Sequence, residues 1–173
     1  MHWILGLYRM NEQIKIYDSY PWTTPFLENI VWLGVYLLGS IIFLMFSKWA
    51  AGAYLGYCFV SMYFLIPRLV CTHCAYYGRI CHSGQSKLAA LLFSKRDTGL
   101  FALCFKRMRF AAPVFLAPII AALFLFFLHF SWGLVALVLG FGVLALWCTR
   151  AVTRGLGCPH CKQKSVCPAC RNS

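Results

Sequence analysis

Four long apolar segments constrain the fold of this chain more than any other feature. They cover about residues 26–46, 49–67, 111–130 and 133–149. Each approaches the roughly 20 residues that a helix needs to cross about 30 Å of hydrocarbon. The chain is 61% hydrophobic and 12% charged, whereas soluble domains carry about 25% charged residues. The sequence therefore predicts an all-α integral membrane protein with four transmembrane helices.

The connections between these segments predict how the spans pair. Only Ser47 and Lys48 clearly separate the first two, and a short turn over residues 129–133 separates the last two. Because short connections give antiparallel neighbours, we expect two antiparallel hairpins, at 26–67 and 111–150. Gly52 and Gly56, spaced as small-xxx-small, are predicted to pack against another helix of the bundle.

Three segments lie outside the two hairpins. They are an N-terminal segment at 1–25, a loop at 68–110 and a tail at 151–173. We expect an interfacial helix anchored by Trp3 in the N-terminal segment. The loop is predicted to contain two short interfacial helices, at 87–93 and 99–109, with Asp97 or Thr98 as the N-cap of the second.

The positive charges predict the orientation of the chain. Fourteen of the sixteen Lys and Arg residues lie in these three segments, and Arg150 directly precedes the tail, so Lys48 alone lies on the other side. By the positive-inside rule, both termini and the loop face the cytoplasm of a multi-pass cell-membrane protein. We expect the basic residues to contact anionic headgroups. The net charge of +12 does not indicate nucleic-acid binding, because the basic residues flank apolar spans.

The tail contains the densest chemical motif of the chain. Two C-P-x-C turns place four thiols within thirteen residues, at Cys158, Cys161, Cys167 and Cys170. A C-x-x-C segment folds back on itself and aims backbone N–H groups at its sulfurs. Four such sulfurs complete a tetrahedral zinc site or the ligand set of an iron–sulfur cluster. Cytoplasmic thiols stay reduced, which favours metal binding or catalysis over disulfides.

The loop contains a second cysteine motif. Cys71 and Cys74 form another C-x-x-C turn, and Cys81-His82 follows after six residues. Gly78 is predicted to turn the chain so that Cys81 approaches the first pair. Three thiols with His82 or His73 would complete a second four-ligand site.

The sequence leaves the number of sites and the metal open. Both motifs follow the cytoplasmic ends of spans, so they form either two adjacent sites or one site with ligands from both. The five-residue gap between the tail pairs is shorter than in ribbon-type zinc sites. Cysteine followed by proline also occurs at iron–sulfur ligands. Zinc and iron–sulfur therefore both remain as predictions.

Several functions are compatible with these features. The first is a redox, electron-transfer or assembly subunit of a membrane complex, with other protein subunits as partners. The alternative is a scaffold whose loop and tail are held by zinc without redox chemistry. A soft-metal transporter would use thiol or thioether groups within the spans, for which Cys58, Met62 and Cys148 are scattered candidates. We find no paired carboxylates, activated serine or Gly-rich phosphate loop, so whether the chain is an enzyme stays open.

In size and helix count the chain resembles the four-helix quinone-linked disulfide oxidoreductases, the disulfide bond protein B and vitamin K epoxide reductase groups. The resemblance implies thiol–disulfide exchange with a membrane quinone. In the disulfide bond protein B group the reactive cysteines lie in loops on the oxidising side. Here the corresponding loops, at 47–48 and 130–132, contain no cysteine.

Overall fold

The computed structural model describes residues 16–128 and 130–170. Within these residues the regular structure is entirely helical, with no strand. They include four helices that are long and apolar enough to cross a membrane: Thr23–Leu44, Lys48–His73, Met108–Leu128 and Trp132–Gly157. We call these the first to fourth spans. The all-helical architecture with four span-like helices is thus confirmed, while the hairpin arrangement and the sidedness stay predictions.

The first two spans differ in regularity. The first is helix α1 (Thr23–Leu44) throughout. The second begins at the N-cap Ser47, whose hydroxyl accepts a hydrogen bond from the Trp49 N–H at 3.2 Å. It is built from α2 (Lys48–Val60), a π-helical turn (Ser61–Leu65), α3 (Ile66–Leu69) and a 3₁₀ turn (Cys71–His73). The second span therefore changes its helical geometry along its length and ends at the first cysteine motif.

The remainder of the chain follows in order. The loop contains α4 (Gln85–Leu92), a 3₁₀ turn (Thr98–Leu100) and α5 (Phe101–Lys106). The third span consists of a 3₁₀ turn (Met108–Ala111) and α6 (Ala112–Leu128). The fourth consists of α7 (Trp132–Trp147) and a π-helical segment (Cys148–Gly157). The first residues of the tail belong to this π-helical segment, and residues 158–170 form turns and bends.

Helix α1 is the centre of the bundle, since it packs against α2, α6 and α7. Val35 and Ile42 on α1 are fully buried. Helices α1 and α2 approach closely at Gly39, where a Cβ would lie 2.5 Å from the Tyr54 hydroxyl of α2. That hydroxyl donates to the Val114 carbonyl of α6 at 2.9 Å. Tyr54 therefore joins three spans at the point where glycine makes room for its ring.

The prediction that Gly52 and Gly56 of α2 pack against another helix of the bundle was wrong. A Cβ placed at Gly52 or Gly56 would have no neighbouring heavy atom within 4 Å among the described residues. The reason is the position of Tyr54, which lies between them in sequence and fills the contact with α1. The small residue that this contact needs is therefore on α1, at Gly39.

Two helix boundaries also differ from prediction. The fourth span does not end near Thr149. It continues as a π-helix to Gly157, and the Cys158 N–H bonds to the carbonyl five residues earlier, at Thr153, at 3.1 Å. The predicted helix at 99–109 is interrupted near Arg107. The Arg107 N–H donates to the carbonyls three and four residues earlier, at positions 104 and 103. This shared hydrogen bond tightens the last turn of α5, and the helix ends there.

Two local predictions can be compared with the structure, and one cannot. Asp97 caps the turn at Thr98–Leu100, since its carboxylate accepts a hydrogen bond from the Gly99 N–H at 2.9 Å. Gly78 has a φ of 78°, the left-handed conformation that glycine adopts readily. Both predictions are confirmed. The interfacial helix expected around Trp3 lies outside the described residues.

Candidate functional site

One cavity of about 220 Å³ brings the two cysteine motifs together. It lies where the second and fourth spans end. Its lining includes His82 and all seven predicted cysteine ligands: Cys71, Cys74, Cys81, Cys158, Cys161, Cys167 and Cys170. His73 is directed elsewhere, because its Nδ1 lies 2.6 Å from the Asp97 carbonyl oxygen. Two motifs that are 77 residues apart in sequence, counted from Cys81 to Cys158, therefore share one site.

The C-x-x-C segments have a common local geometry. In each, the N–H of the second cysteine donates to the carbonyl of the first, at 3.1 Å for Cys74, 3.2 Å for Cys161 and 3.1 Å for Cys170. The sulfur of Cys74 also accepts the Tyr76 N–H at 3.5 Å, and that of Cys161 accepts the Gln163 N–H at 3.4 Å. These turns are therefore set by local backbone hydrogen bonds, as the sequence predicts.

The two residues that follow these turns also fasten the turns to each other. The Tyr76 hydroxyl of the loop accepts a hydrogen bond from the Lys162 N–H of the tail at 3.0 Å. In return, the Gln163 Oε1 of the tail accepts the Ala75 N–H and the Cys74 thiol of the loop, both at 3.1 Å. Each C-x-x-C turn is thus held by a side chain from the other.

A short segment before the first span joins loop and tail as well. The Tyr17 N–H donates to the His160 carbonyl of the tail at 3.1 Å, and the Tyr20 N–H donates to the Ile80 carbonyl of the loop at 2.8 Å. The Tyr20 hydroxyl donates to the Gly157 carbonyl at 2.5 Å. Residues 16–22 therefore provide a further connection between the loop and the tail.

An acid–base pair anchors the loop to α1. Glu28, near the start of α1, is 3% exposed, and its Oε2 lies 2.6 Å from His82 Nδ1. Burial lowers the pKa of His82, but the charge and hydrogen bond of Glu28 outweigh it and raise the pKa to about 9. His82 is therefore positively charged at neutral pH. Imidazolium has no free lone pair, so His82 becomes a metal ligand only by losing this proton.

The thiols respond differently to their surroundings. Burial raises the pKa of Cys74 to about 12 and raises that of Cys161 as well. Burial acts in the same direction on Cys81, but the neighbouring His82 charge and nearby serine hydroxyls outweigh it and lower the pKa. Cys161 feels the charges of both Cys167 and Cys81. Sulfurs of loop and tail are therefore electrostatic neighbours, and Cys81 ionises most readily among the three compared.

Two of the tail cysteines are joined to each other. Cys158 and Cys170 form a disulfide, with their Cα atoms 5.2 Å apart, and the other five cysteines of the site are free. This differs from the expectation that every thiol here is reduced. The physical reason is proximity, because the tail turns bring these two residues within the range that a disulfide can bridge. A four-cysteine tail site would require this bond to be reduced.

The donor set suits a soft metal, although the described geometry is not that of a coordinated ion. Thiolates are the ligands that zinc and iron–sulfur clusters prefer. Among residues 16–128 and 130–170, no three His, Cys, Asp or Glu side chains are arranged as a metal site. Metal binding would therefore need the thiols to lose protons and move together. The identity of the ligands stays a prediction.

Sequence reasoning missed several residues that build the site. Glu28 gave the clearest signal, since it is one of only four acidic residues and stands within an apolar span. Such residues usually face a partner inside the bundle. Tyr76 and Gln163 occupy the same position relative to their C-x-x-C turns, but nothing in either residue alone indicates a contact with the other motif.

Comparisons with protein families, with characterised proteins and with solved structures found no match to this chain.

Proposed function

We propose that this chain is a multi-pass membrane protein that holds one cysteine-ligated metal centre, an iron–sulfur cluster or zinc, at the cytoplasmic ends of its spans. The observation that supports this most is the shared cavity lined by all seven cysteines of the two motifs. The contacts between the loop and tail motifs favour one composite centre over two separate ones. Tyr76 and Gln163 fix the two C-x-x-C turns against each other, so sulfurs from both segments are available to the same ion or cluster.

The surroundings of the sulfurs suit such a centre. Backbone N–H groups of Tyr76 and Gln163 already point at Cys74 and Cys161. Hydrogen bonds of this kind offset thiolate charge and help to set the reduction potential of a cluster. An iron–sulfur cluster would supply one-electron transfer, and zinc would supply a structural cross-link between loop and tail. In the first case the protein serves as a redox or assembly subunit, with protein partners on the cytoplasmic face.

The disulfide supports a second candidate, thiol–disulfide exchange. Cys158 and Cys170 are bonded while Cys161 and Cys167 beside them are free. In such an exchange a substrate thiolate attacks one sulfur of the disulfide and the other leaves as a thiolate. A second substrate thiolate then releases the substrate as a disulfide and leaves both tail cysteines reduced.

The first experiment is metal analysis of the full chain, purified without oxygen in detergent. Iron with acid-labile sulfide and visible absorption would support the redox subunit. One zinc per chain without colour would support the cross-linked scaffold. Neither metal, with the free thiols titrating readily, would contradict the metal proposal and favour thiol–disulfide exchange.

Matched variants test whether the centre is composite. We expect Cys74→Ser in the loop and Cys161→Ser in the tail each to remove most of the metal, because both supply the same centre. Cys104→Ser is the control, since Cys104 does not line the cavity. If each variant retained about half of the metal, the loop and tail would hold separate centres and the composite site would be wrong.

A further inference from the structure

The cavity extends from the cysteines into the interior of the bundle, where its walls are apolar and aromatic. Trp32 and Tyr36 of α1, Met62 of the π-helical turn and Phe115 of α6 line this inner half. The Trp32 ring is 5.9 Å from that of Tyr36 and 5.5 Å from that of Phe115, measured between centroids. Walls of this kind suit a flat apolar group.

Three buried polar atoms of the same cavity have no hydrogen-bond partner among the residues that the structure describes. They are Ser61 Oγ, Gln85 Nε2 and Ser86 Oγ, and each residue is no more than 6% exposed. The Ser86 hydroxyl is near enough to the Cys74 and Cys81 thiols to act on their pKa values, which leaves Ser61 and Gln85 unexplained. An unpaired amide N–H in a buried site is costly. A bound ligand with an acceptor oxygen would supply the missing hydrogen bond.

The lining indicates that the occupant is uncharged. Within residues 16–128 and 130–170, no Lys or Arg lines the cavity. The two charged residues in the lining, Glu28 and His82, are paired with each other at 2.6 Å. A phosphate headgroup would find no cation here, and buried charges need partners.

A second cavity adjoins the first. A groove of about 310 Å³ between α1 and the second span shares Trp32, Tyr36 and Met62 with the first cavity. Its outer wall includes Leu33 and Phe59, both more than half exposed on apolar helix surfaces. The π-helical turn that begins at Ser61 borders both spaces, and such turns are frequent at functional sites.

We propose that this cavity binds a neutral, membrane-soluble ligand with a carbonyl-bearing ring and an apolar tail. The ring lies among Trp32, Tyr36 and Phe115, its oxygens accept hydrogen bonds from Ser61 and Gln85, and its tail leaves through the groove. Plain hydrocarbon chains lack the acceptors, and water alone would leave the aromatic walls without apolar contacts. This inference depends on the cavity and not on the metal centre.

Photolabelling of the full chain in detergent tests it directly. The probe is a benzoquinone whose ring carries a decyl tail, an azide and two methyl groups, so that no ring position is open to the free thiols of the cavity. The unlabelled competitor carries a methyl group in place of the azide. We expect the label in peptides that contain Trp32 or Ser61. An unlabelled decyl benzoquinone should displace the probe at a roughly tenfold lower concentration than decylbenzene, which has the same tail but no acceptors, since each hydrogen bond contributes several-fold in affinity.

Two variants remove the unpaired donors. Ser61→Ala and Gln85→Leu should each weaken displacement by the quinone about fivefold, leave displacement by decylbenzene unchanged, and not lower the unfolding temperature of the free protein. Ser40→Ala is the control, because the Ser40 hydroxyl bonds to the Leu37 carbonyl at 2.9 Å and does not line the cavity.

Three results would overturn the inference. They are equal displacement by decylbenzene, label spread over all four spans, or no response to Gln85→Leu. The comparison of the two competitors uses the native chain, so it holds even if a variant fails to fold. Metal content measured on the same samples separates this outcome from failure of the proposed metal centre.

Discussion

The loop and the tail carry the same C-x-x-C turn, but the protein anchors the two in different ways. The loop motif begins in the final 3₁₀ turn of the second span, Cys71–His73. Helix α4 packs against this turn, and the Glu28–His82 pair connects the loop motif to α1. The described part of the tail has no helix of its own after Gly157. It is held through Tyr17, Tyr76 and Gln163.

This difference shows what a C-x-x-C motif encodes. The motif determines the turn and the direction of its N–H groups, which are the same in both places. It does not determine which part of the protein the turn packs against. We infer that the loop is part of the helical bundle, whereas the tail is docked on the loop. Substitutions at the docking contacts should therefore release the tail while the bundle stays folded.

The largest effect is expected for Tyr76→Ala. Tyr76 is 1% exposed and connects the loop, the tail and Tyr17. Its removal should lower the free energy of unfolding by about 3–5 kcal/mol, as measured by denaturation in mixed detergent. Tryptic cleavage after Lys164 should rise before the spans unfold. Tyr77→Ala is the control, since the Tyr77 hydroxyl donates to the Phe93 carbonyl within the loop and not to the tail residues that the structure describes. Equal losses would mean that tail docking is not the cause.

Glu28→Ala should have the next largest effect, and on the loop rather than the tail. It removes the carboxylate that pairs with His82 and keeps this residue charged, which should lower the free energy of unfolding of the metal-free protein by about 2 kcal/mol. Glu28→Gln keeps an acceptor for His82 and should lose less. Limited proteolysis should show more cleavage after Arg79 than after Lys164. The reverse order would contradict the assignment of this pair to the loop.

Gln163→Leu should have a smaller effect that falls on the tail. It leaves the Ala75 N–H without its 3.1 Å acceptor, which should lower the free energy of unfolding by about 1–2 kcal/mol. Tryptic cleavage after Lys164 should increase. Gln163→Glu keeps the acceptor oxygens and should restore much of the protection. If both variants behaved alike, the hydrogen bond from Ala75 would not be what holds the tail.

The smallest effect is expected for Lys162→Gln. The Lys162 ammonium pairs with Asp18, which is highly exposed, and exposed ion pairs contribute little. The contact that docks the tail comes from the Lys162 backbone N–H, which the substitution retains. We expect no resolvable change in denaturation at any ionic strength. A large, salt-dependent loss would show that charge pairing holds the tail in place.

Local features of the fold were predictable from neighbouring residues. The Asp97 cap and the Gly78 turn were expected from residue type, and both are present. Features that depend on packing were not predictable in this way. The open surface at Gly52 and Gly56 follows from where the Tyr54 ring lies.

The sequence by itself determined the four apolar spans, the helical class and the C-x-x-C turns, because each depends on composition, period or a hydrogen bond between close neighbours. The tertiary structure alone decided that the two cysteine motifs share one cavity. It did so through contacts between residues far apart in the chain, such as Glu28 with His82, separated by 54 positions, and Cys74 with Gln163, separated by 89. No local pattern encodes such a pair, since it forms only when the second and fourth spans pack around α1 and end side by side.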